Sequence, residues 1–287
     1  MRKVFSFGFY FSYKYDLTLS RIKLASGCST DVQFQWNSIM FKEMISQNIE
    51  KKWMIPLIQV LHDILLIFFF IFLPKSLYFK FSLIINIYFF QKGFFGTFSC
   101  IINEKKLDFY LITRRSCKRA GTRYNARGID DDGNVANFCE TEMLIFYNKY
   151  FCSHLQIRGS VPVFWQQRGF TAQTKITRNY DMTNNAFLKH IYELTKNYTR
   201  VLCVNLMAKN KPSEQMITET YETHVRMNNL PNLRYEFFDF HHACKGQKFD
   251  RINPLLKKLQ LMSENFRYLY KILSILQWLN FFSKILC

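Results

Sequence analysis

Between residues 187 and 266 the chain alternates between two hydrophobic periods, and this alternation restricts the fold more than any other feature. Phe187, Ile191, Leu194 and Tyr198 recur at helical spacing, and VLCVNLM at 201–207 is a short apolar run of the buried-strand type. Ser213 stands as an N-cap before a helical run through Met216, Ile217, Tyr221 and Val225. LRYEFFDF at 233–240 reads as the next strand, and Phe249, Ile252, Leu256, Leu259 and Phe266 mark a last helix. Helix–strand–helix–strand–helix implies a parallel sheet, whose ligands gather beyond the carboxyl ends of its strands. The expected class is α/β.

Upstream the pattern is more β-like. LDFYLI at 107–112 reads as a strand. Residues 122–129 and 134–141 flank DDDG, a turn cluster of the kind that closes a hairpin. LQIRGSVPVFW at 155–165 reads as another strand, ending at Pro162. Residues 17–63 are ordinary mixed α and β sequence with an amphipathic helix near 36–47. Arg2 and Lys3 before VFSFGFYFSY imitate a signal peptide, but Lys14 and Asp16 interrupt the apolar stretch, so cleavage is not expected.

Residues 64–92, ILLIFFFIFLPKSLYFKFSLIINIYFFQK, contain no acidic residue and follow neither period. On either side of Pro74 and Lys75 the uncharged runs fall short of the ~20 residues a spanning helix needs, so a re-entrant hairpin is one reading. Translated intron is the other. Of these 29 residues 25 are Phe, Ile, Leu, Lys, Tyr or Asn, the set that codons of A and T encode, and the tail 271–287 has 12 of 17.

Lys and Arg outnumber Asp and Glu by 39 to 21, which favours anionic partners. Arg114, Arg115, Lys118, Arg119, Arg123 and Arg127 form the densest cluster. It reads either as a solvated basic face or as a surface that grips phosphate through guanidinium forks. On a strand over 122–129, Arg123, Asn125 and Arg127 would point the same way. No recognition helix or RNP-like aromatic strand accompanies the charge, so nucleic acid is not an expected partner.

Two segments have the cysteine–five residues–arginine spacing of thiol phosphatases, Cys117 with Arg123 and Cys152 with Arg158. Such a loop must lead from a buried strand into a helix N-terminus, where amides and dipole lower the thiol pKa. A strand and turn follow the first and a strand follows the second, so neither is built for that chemistry. The 8 cysteines form no CxxC pair, and the pattern suggests reduced thiols. His241, His242 and Cys244 are too crowded for a tetrahedral zinc set, and no metal is expected. DDDGN at 130–134 lacks the Gly and Glu positions of a calcium loop and reads as a turn. Asp239, His241 and His242 follow a strand end, where catalytic groups occur but structural histidines are commoner.

LITRRSCKRAGTRYNARGIDDDGNVANFCETE at 111–142, LQIRGSVPVFWQQ at 155–167 and FFDFHHACKG at 237–246 resemble the Sac family of phosphoinositide phosphatases. The likeness is greatest to the endoplasmic-reticulum branch, with the Sac domain of synaptojanin next. FYFSYKYDLTLS at 9–20, FQWNS at 34–38 and KKWMIPLIQ at 51–59 are similar to that family's amino-terminal subdomain. The resemblance implies a partial Sac domain: a PTP-like catalytic subdomain with a parallel or mixed sheet, beside the remnant of an α+β amino-terminal subdomain. The implied division is 1–63 amino-terminal, 64–92 insert without a family counterpart, 93–270 first part of the catalytic subdomain, and 271–287 divergent tail.

The resemblance implies phosphate removal from inositol lipids, chiefly phosphatidylinositol 4-phosphate, without metal or other cofactor, at the cytoplasmic face of endoplasmic-reticulum or Golgi membranes. The implied partners are phosphoinositides and an anionic membrane surface. The family's nucleophile lies in a Cys-x5-Arg-Thr/Ser-Asn loop, which occurs nowhere in this sequence. CKRAGTR matches a non-catalytic family block, and the chain is expected to stop resembling the family before the true loop. No catalytic residue is therefore expected here. Arg119, Arg123, Arg127 and Arg158 are the candidate substrate-binding residues. A basic lipid-surface binding fragment without catalysis is the alternative function, and a membrane protein anchored by 64–92 a third reading.

Overall fold

The computed structural model describes residues 8–59, 95–102, 105–121, 125–148, 150–167 and 173–264. They fall into two compact units. One takes the chain up to Lys118 together with Cys139–Arg158, and the other takes Arg119–Phe138 and the chain from Gly159 onward. The apolar insert 64–92 and the tail 271–287 lie outside the described residues. Among those described, no helix is long and apolar enough to cross a membrane.

The first unit opens with β1 (Phe9–Tyr10), α1 (Arg21–Ala25), α2 (Ser38–Ser46) and β2 (Ile58–Gln59), which pairs antiparallel with β1. Its main sheet is antiparallel, in the order β3 (Phe95–Ile102), β4 (Lys105–Arg115), β5 (Cys139–Tyr147), β6 (Tyr150–Arg158). The β5–β6 connection is tight enough that Asn148 takes a left-handed conformation, φ 52°. Ile58, Ile112 and Leu144 make a core against which Tyr10, Leu17, Tyr110 and Phe146 pack.

Next to this apolar core lies a buried charge network. Strand alternation puts Arg114 directly opposite Glu140, with Glu142 two residues along the same face. Arg114 is 1% exposed and donates from Nη1 to Glu140 Oε1 at 3.2 Å and from Nη2 to Glu142 Oε2 at 2.7 Å. Its Nε and Nη2 also reach the carbonyls of Leu17 and Leu19. Glu142 accepts in addition from the Arg21 amide and the Ser153 hydroxyl, and Lys23 bridges Glu140 to Asp31. Ser20 makes no side-chain cap on α1; the Glu142 carboxylate satisfies the first helical amide instead, where the helix dipole favours an anion.

The second unit holds β7 (Trp165–Gln166) antiparallel to β8 (Lys175–Ile176), followed by α3 (Tyr180–Tyr198), β9 (Val201–Asn205), α4 (Pro212–Asn228), β10 (Leu233–Phe237), α5 (Phe240–Ala243) and α6 (Asn253–Glu264). β9 and β10 pair in parallel, as a helical crossover requires. Phe187, Ile191 and Leu194 of α3 are buried, as are Ile217 and Tyr221 of α4, on the faces that the 3.6-residue spacing predicts, and His224 of α4 is buried in addition. The His224 ring stacks on Tyr180 at 4.5 Å and on Phe187 at 5.4 Å.

Three expectations change. Among the described residues the hairpin about DDDG shrinks to one bridge, Ile129 with Val135, and Arg127 lies in irregular backbone rather than on a strand. Gly128 explains this, because it turns with φ +69° and a Cβ there would lie 2.6 Å from the Val163 carbonyl oxygen. The strand at 155–165 ends at Arg158 and resumes only at Trp165. Ser213 is inside α4, whose cap is Lys211 with Pro212 in the first helical position.

Truncating Arg114 leaves buried Glu142 without its cation and Glu140 with Lys23 alone. The Arg114→Met variant is expected to lose about 3–5 kcal/mol of unfolding free energy in chemical denaturation. A loss below about 1 kcal/mol would mean that the network contributes little to the fold. Burial pushes His190 down to about 4, against the pull of its contact with the Gly133 carbonyl, and His154 also to about 4. These folded values lie below the unfolded one, so the unfolded chain binds more protons as pH falls. Stability should therefore be fully present above about pH 6.5 and decline toward pH 4.5. In His190→Gln the slope over that window should flatten by up to about 1.4 kcal/mol per pH unit, measured by denaturation at each pH.

Candidate active site

A cleft of ≈ 290 Å³ lies within the second unit, and its wall includes Arg119, Asp130, Asp131, Trp165, Thr177 and Arg178. The turn that supplies the aspartates is tightly made. Asp130 Oδ1 accepts from the Asn134 amide at 2.7 Å and from the Asp132 amide at 3.1 Å. Gly133 closes the turn with φ +85°, and a Cβ there would come within 2.9 Å of the His190 nitrogen on α3. His190 Nδ1 lies 3.0 Å from the Gly133 oxygen, and Lys189 Nζ donates to the Asp131 carbonyl at 2.8 Å. Helix α3 thus fixes the turn from behind. Such use of Asp and Gly identifies a turn, not a calcium loop.

The arginines are held in three ways. Arg119, at φ 47°, donates from Nη2 to the Arg127 carbonyl at 2.7 Å and from Nε to the Gly128 carbonyl at 3.3 Å. Carbonyls orient it without neutralising its charge. The Arg127 guanidinium lies 5.2 Å over the Trp165 ring and donates to Gln167. Arg178 stacks 3.9 Å from the Phe164 centroid and forks onto the Asp131 carboxylate through both terminal nitrogens. Hydrogen bonding from Arg178 holds the Asp131 carboxyl below the usual carboxylate range, aided by the charges of Arg178, Lys189 and Arg119. The Trp165 indole N–H is buried and finds no acceptor among the described residues, the kind of donor a bound polar group satisfies.

Of the four predicted arginines, Arg119 lines the cleft and Arg127 packs on its Trp165 wall. Arg123 lies outside the described residues. Arg158 closes β6 in the other unit, opposite Cys139, whose thiol burial pushes up to about 11 although Arg158 and Arg115 oppose this. Arg178, Thr177 and Trp165 were not singled out by the sequence; Arg178 and Asp131 meet across 47 positions, beyond the reach of any local pattern.

The thiols offer no activated nucleophile among the described residues. Cys117 follows β4, its amide bonds to Gln33 and its sulfur points to the Val32 carbonyl. Burial raises its pKa, and the nearby Lys118 only moderates that. Cys152 sits inside β6, in extended backbone that cannot wrap a phosphate. Asp239 is a helix cap: burial favours its neutral form, but the His242 and Lys209 amides hold its pKa below the usual range. Among the described residues no cluster of His, Cys, Asp or Glu could hold a metal ion.

The sequence model of the SacI homology domain matches residues 2–245. The chain is 32% identical over 269 residues to a polyphosphatidylinositol phosphatase, INP53, of Saccharomyces cerevisiae, which covers 89% of this chain and 22% of the relative. It is 29% identical over 274 residues to the phosphatidylinositol-3-phosphatase SAC1-B of Danio rerio, 91% of this chain and 41% of that protein. To the phosphatidylinositide phosphatase SAC2 of Danio rerio it is 42% identical over 147 residues, 50% of this chain and 13% of the relative. The chain spans well under half the length of each of these relatives. With the domain matched over most of its residues and a mixed α/β fold, the chain belongs to the SacI homology domain family.

Proposed function

We propose that the chain is the substrate-receiving part of a phosphoinositide phosphatase, and that its cleft takes the phosphorylated headgroup. The observation that carries this reading is the meeting of Arg119 and Arg178 on one cleft, each oriented by contacts that leave its charge intact or shared with a displaceable carboxylate. Guanidinium forks match phosphate oxygens bidentately, and aromatic walls such as Trp165 suit the apolar face of a cyclitol ring. Arg123 and Arg127 would extend the same basic surface, and Arg158 would add to the charge that meets an anionic membrane. The setting would be the cytoplasmic face of endoplasmic-reticulum or Golgi membranes.

In the intact enzyme a PTP-like subdomain would carry the Cys-x5-Arg-Thr/Ser-Asn loop. Its thiolate would attack phosphorus, the ester P–O bond would break with protonation of the inositol oxygen, and water would then hydrolyse the phosphocysteine. That loop is absent from this sequence, and burial raises the pKa of the Cys117 thiol, which disfavours its thiolate. The chain by itself therefore reads as a binding fragment. Among its relatives one is named for the 3-phosphate; the preference proposed here is phosphatidylinositol 4-phosphate, with other monophosphates next.

Purified chain incubated with micelles of phosphatidylinositol 4-phosphate or 3-phosphate should release no phosphate above the blank. Release that Cys117→Ser abolishes would restore CKRAGTR as the active site. Sedimentation with vesicles containing phosphatidylinositol 4-phosphate should exceed that with neutral vesicles. Arg119→Ala should weaken this by about tenfold or more, the scale of hydrogen bonds to a charged group. Equal binding by wild type and Arg119→Ala to both vesicle types would leave only a solvated basic face.

A further inference from the structure

The cleft carries its own anion. Arg178 presents its planar fork to Asp131, and a carboxylate and a phosphomonoester present the same pair of oxygens to such a fork. We propose that Asp131 is an intramolecular competitor for the phosphate: its carboxylate holds the Arg178 fork until a phosphomonoester takes its place. This rests on the reading of the cleft as a phosphate site and assigns the residue that sets its threshold.

The two partners differ in how firmly they are held. The Arg178 side chain is 31% exposed and lies against Phe164, whereas that of Asp131 is 74% exposed on the rim. Removing the carboxylate leaves the guanidinium stacked on Phe164, still presented to the cleft. The backbone beneath Asp131 is anchored by Lys189, so the exchange needs only a side-chain rotation. Asp130 cannot substitute for Asp131, because its carboxylate is engaged by the Asn134 and Asp132 amides and the Asn134 side chain.

The charges follow the same logic. Two arginines and two aspartates line the cleft, so it is balanced while Asp131 faces inward. When Asp131 turns out to solvent, Arg119 and Arg178 face the ligand together. A weakly charged or neutral group gains little by displacing a carboxylate, while a phosphomonoester dianion gains a fork and a second guanidinium. Asp131 thus biases the cleft toward phosphomonoesters.

The test is calorimetric titration of the full chain with inositol 4-phosphate and with inorganic phosphate, repeated by sedimentation on vesicles carrying phosphatidylinositol 4-phosphate. The soluble probes separate a free anion from a lipid headgroup as the preferred source. Asp131→Asn should tighten binding by about two- to fivefold, the scale of an exposed ion pair. Asp132→Asn, which makes the same charge change at the next residue, off the Arg178 fork, should leave affinity within about twofold. Arg178→Gln should weaken binding, and adding Asp131→Asn to it should give no gain. If Asp131→Asn weakens binding, or tightens it equally in the Arg178→Gln background, the competitor role is wrong while the phosphate cleft stands. If Arg178→Gln and Arg119→Ala both bind like wild type, or no variant binds any probe, the cleft itself is not the phosphate site. Circular dichroism of each variant guards against misfolding, which exposed Asp131 is not expected to cause.

Discussion

The first unit depends on a buried arginine whose partners come from two separate stretches of chain. Arg114 ties β4 to Glu140 and Glu142 of β5 and to the carbonyls of Leu17 and Leu19, and through those carboxylates to Arg21, Lys23 and Ser153. Two cations, Arg114 and Lys23, and two carboxylates, Glu140 and Glu142, are taken out of water together, with Asp31 at the edge of the group, and such a cluster is tolerable only when its charges are paired and hydrogen-bonded. The geometry is specific, since Glu142 must face Arg114 and the first amide of α1 at once. A shift of one residue in the β4–β5 register would turn both glutamates to the opposite face. The network therefore specifies register as well as binding the 17–23 segment to the sheet.

A few residues further along, the same run of cations meets a different environment. Arg119 and Arg127 are oriented by carbonyls, an amide oxygen and an indole ring, none of which carries a formal charge. Sequence alone makes Arg114 and Arg119 look alike, as members of one basic cluster. Burial separates them: Arg114 needs carboxylates because water is excluded, while Arg119, on an open cleft, keeps its charge available. The function of each arginine is thus set by what its neighbours can neutralise.

This also explains what could be read in advance. The helices at 180–198 and 212–228 and the parallel strands β9 and β10 that follow them in turn announce themselves by period, because a face of Phe187, Ile191 and Leu194 is a local property. The DDDG turn is legible for the same reason: Asp130 bonds its own neighbours. The hairpin around it was not, because Gly128 turns the chain where the Val163 backbone presses against it, and that contact spans 35 positions of sequence. The Arg178–Asp131 pair and the Glu142 cap of α1 are equally non-local, joining residues 47 and 121 positions apart. Family likeness reached further than periodicity here, since it located whole blocks without knowing their contacts; of the candidate arginines, Arg158 falls in the first unit and Arg119 and Arg127 in the second.

Net charge and site charge have separate effects. The chain's formal +18 favours anionic partners of any kind, but at physiological ionic strength fields between exposed charges decay over about 8 Å. A diffuse positive surface would therefore attract any anionic bilayer without choosing among headgroups. Choice needs donors fixed in direction, which the Phe164 stack gives Arg178 and the backbone carbonyls give Arg119. Lysines, of which the chain has many exposed, cannot supply this, because an ammonium is a point charge on a flexible stem. On the proposed function, attraction to an anionic surface and recognition of one headgroup on it would be divided between two kinds of cation, and only the second kind would depend on the fold.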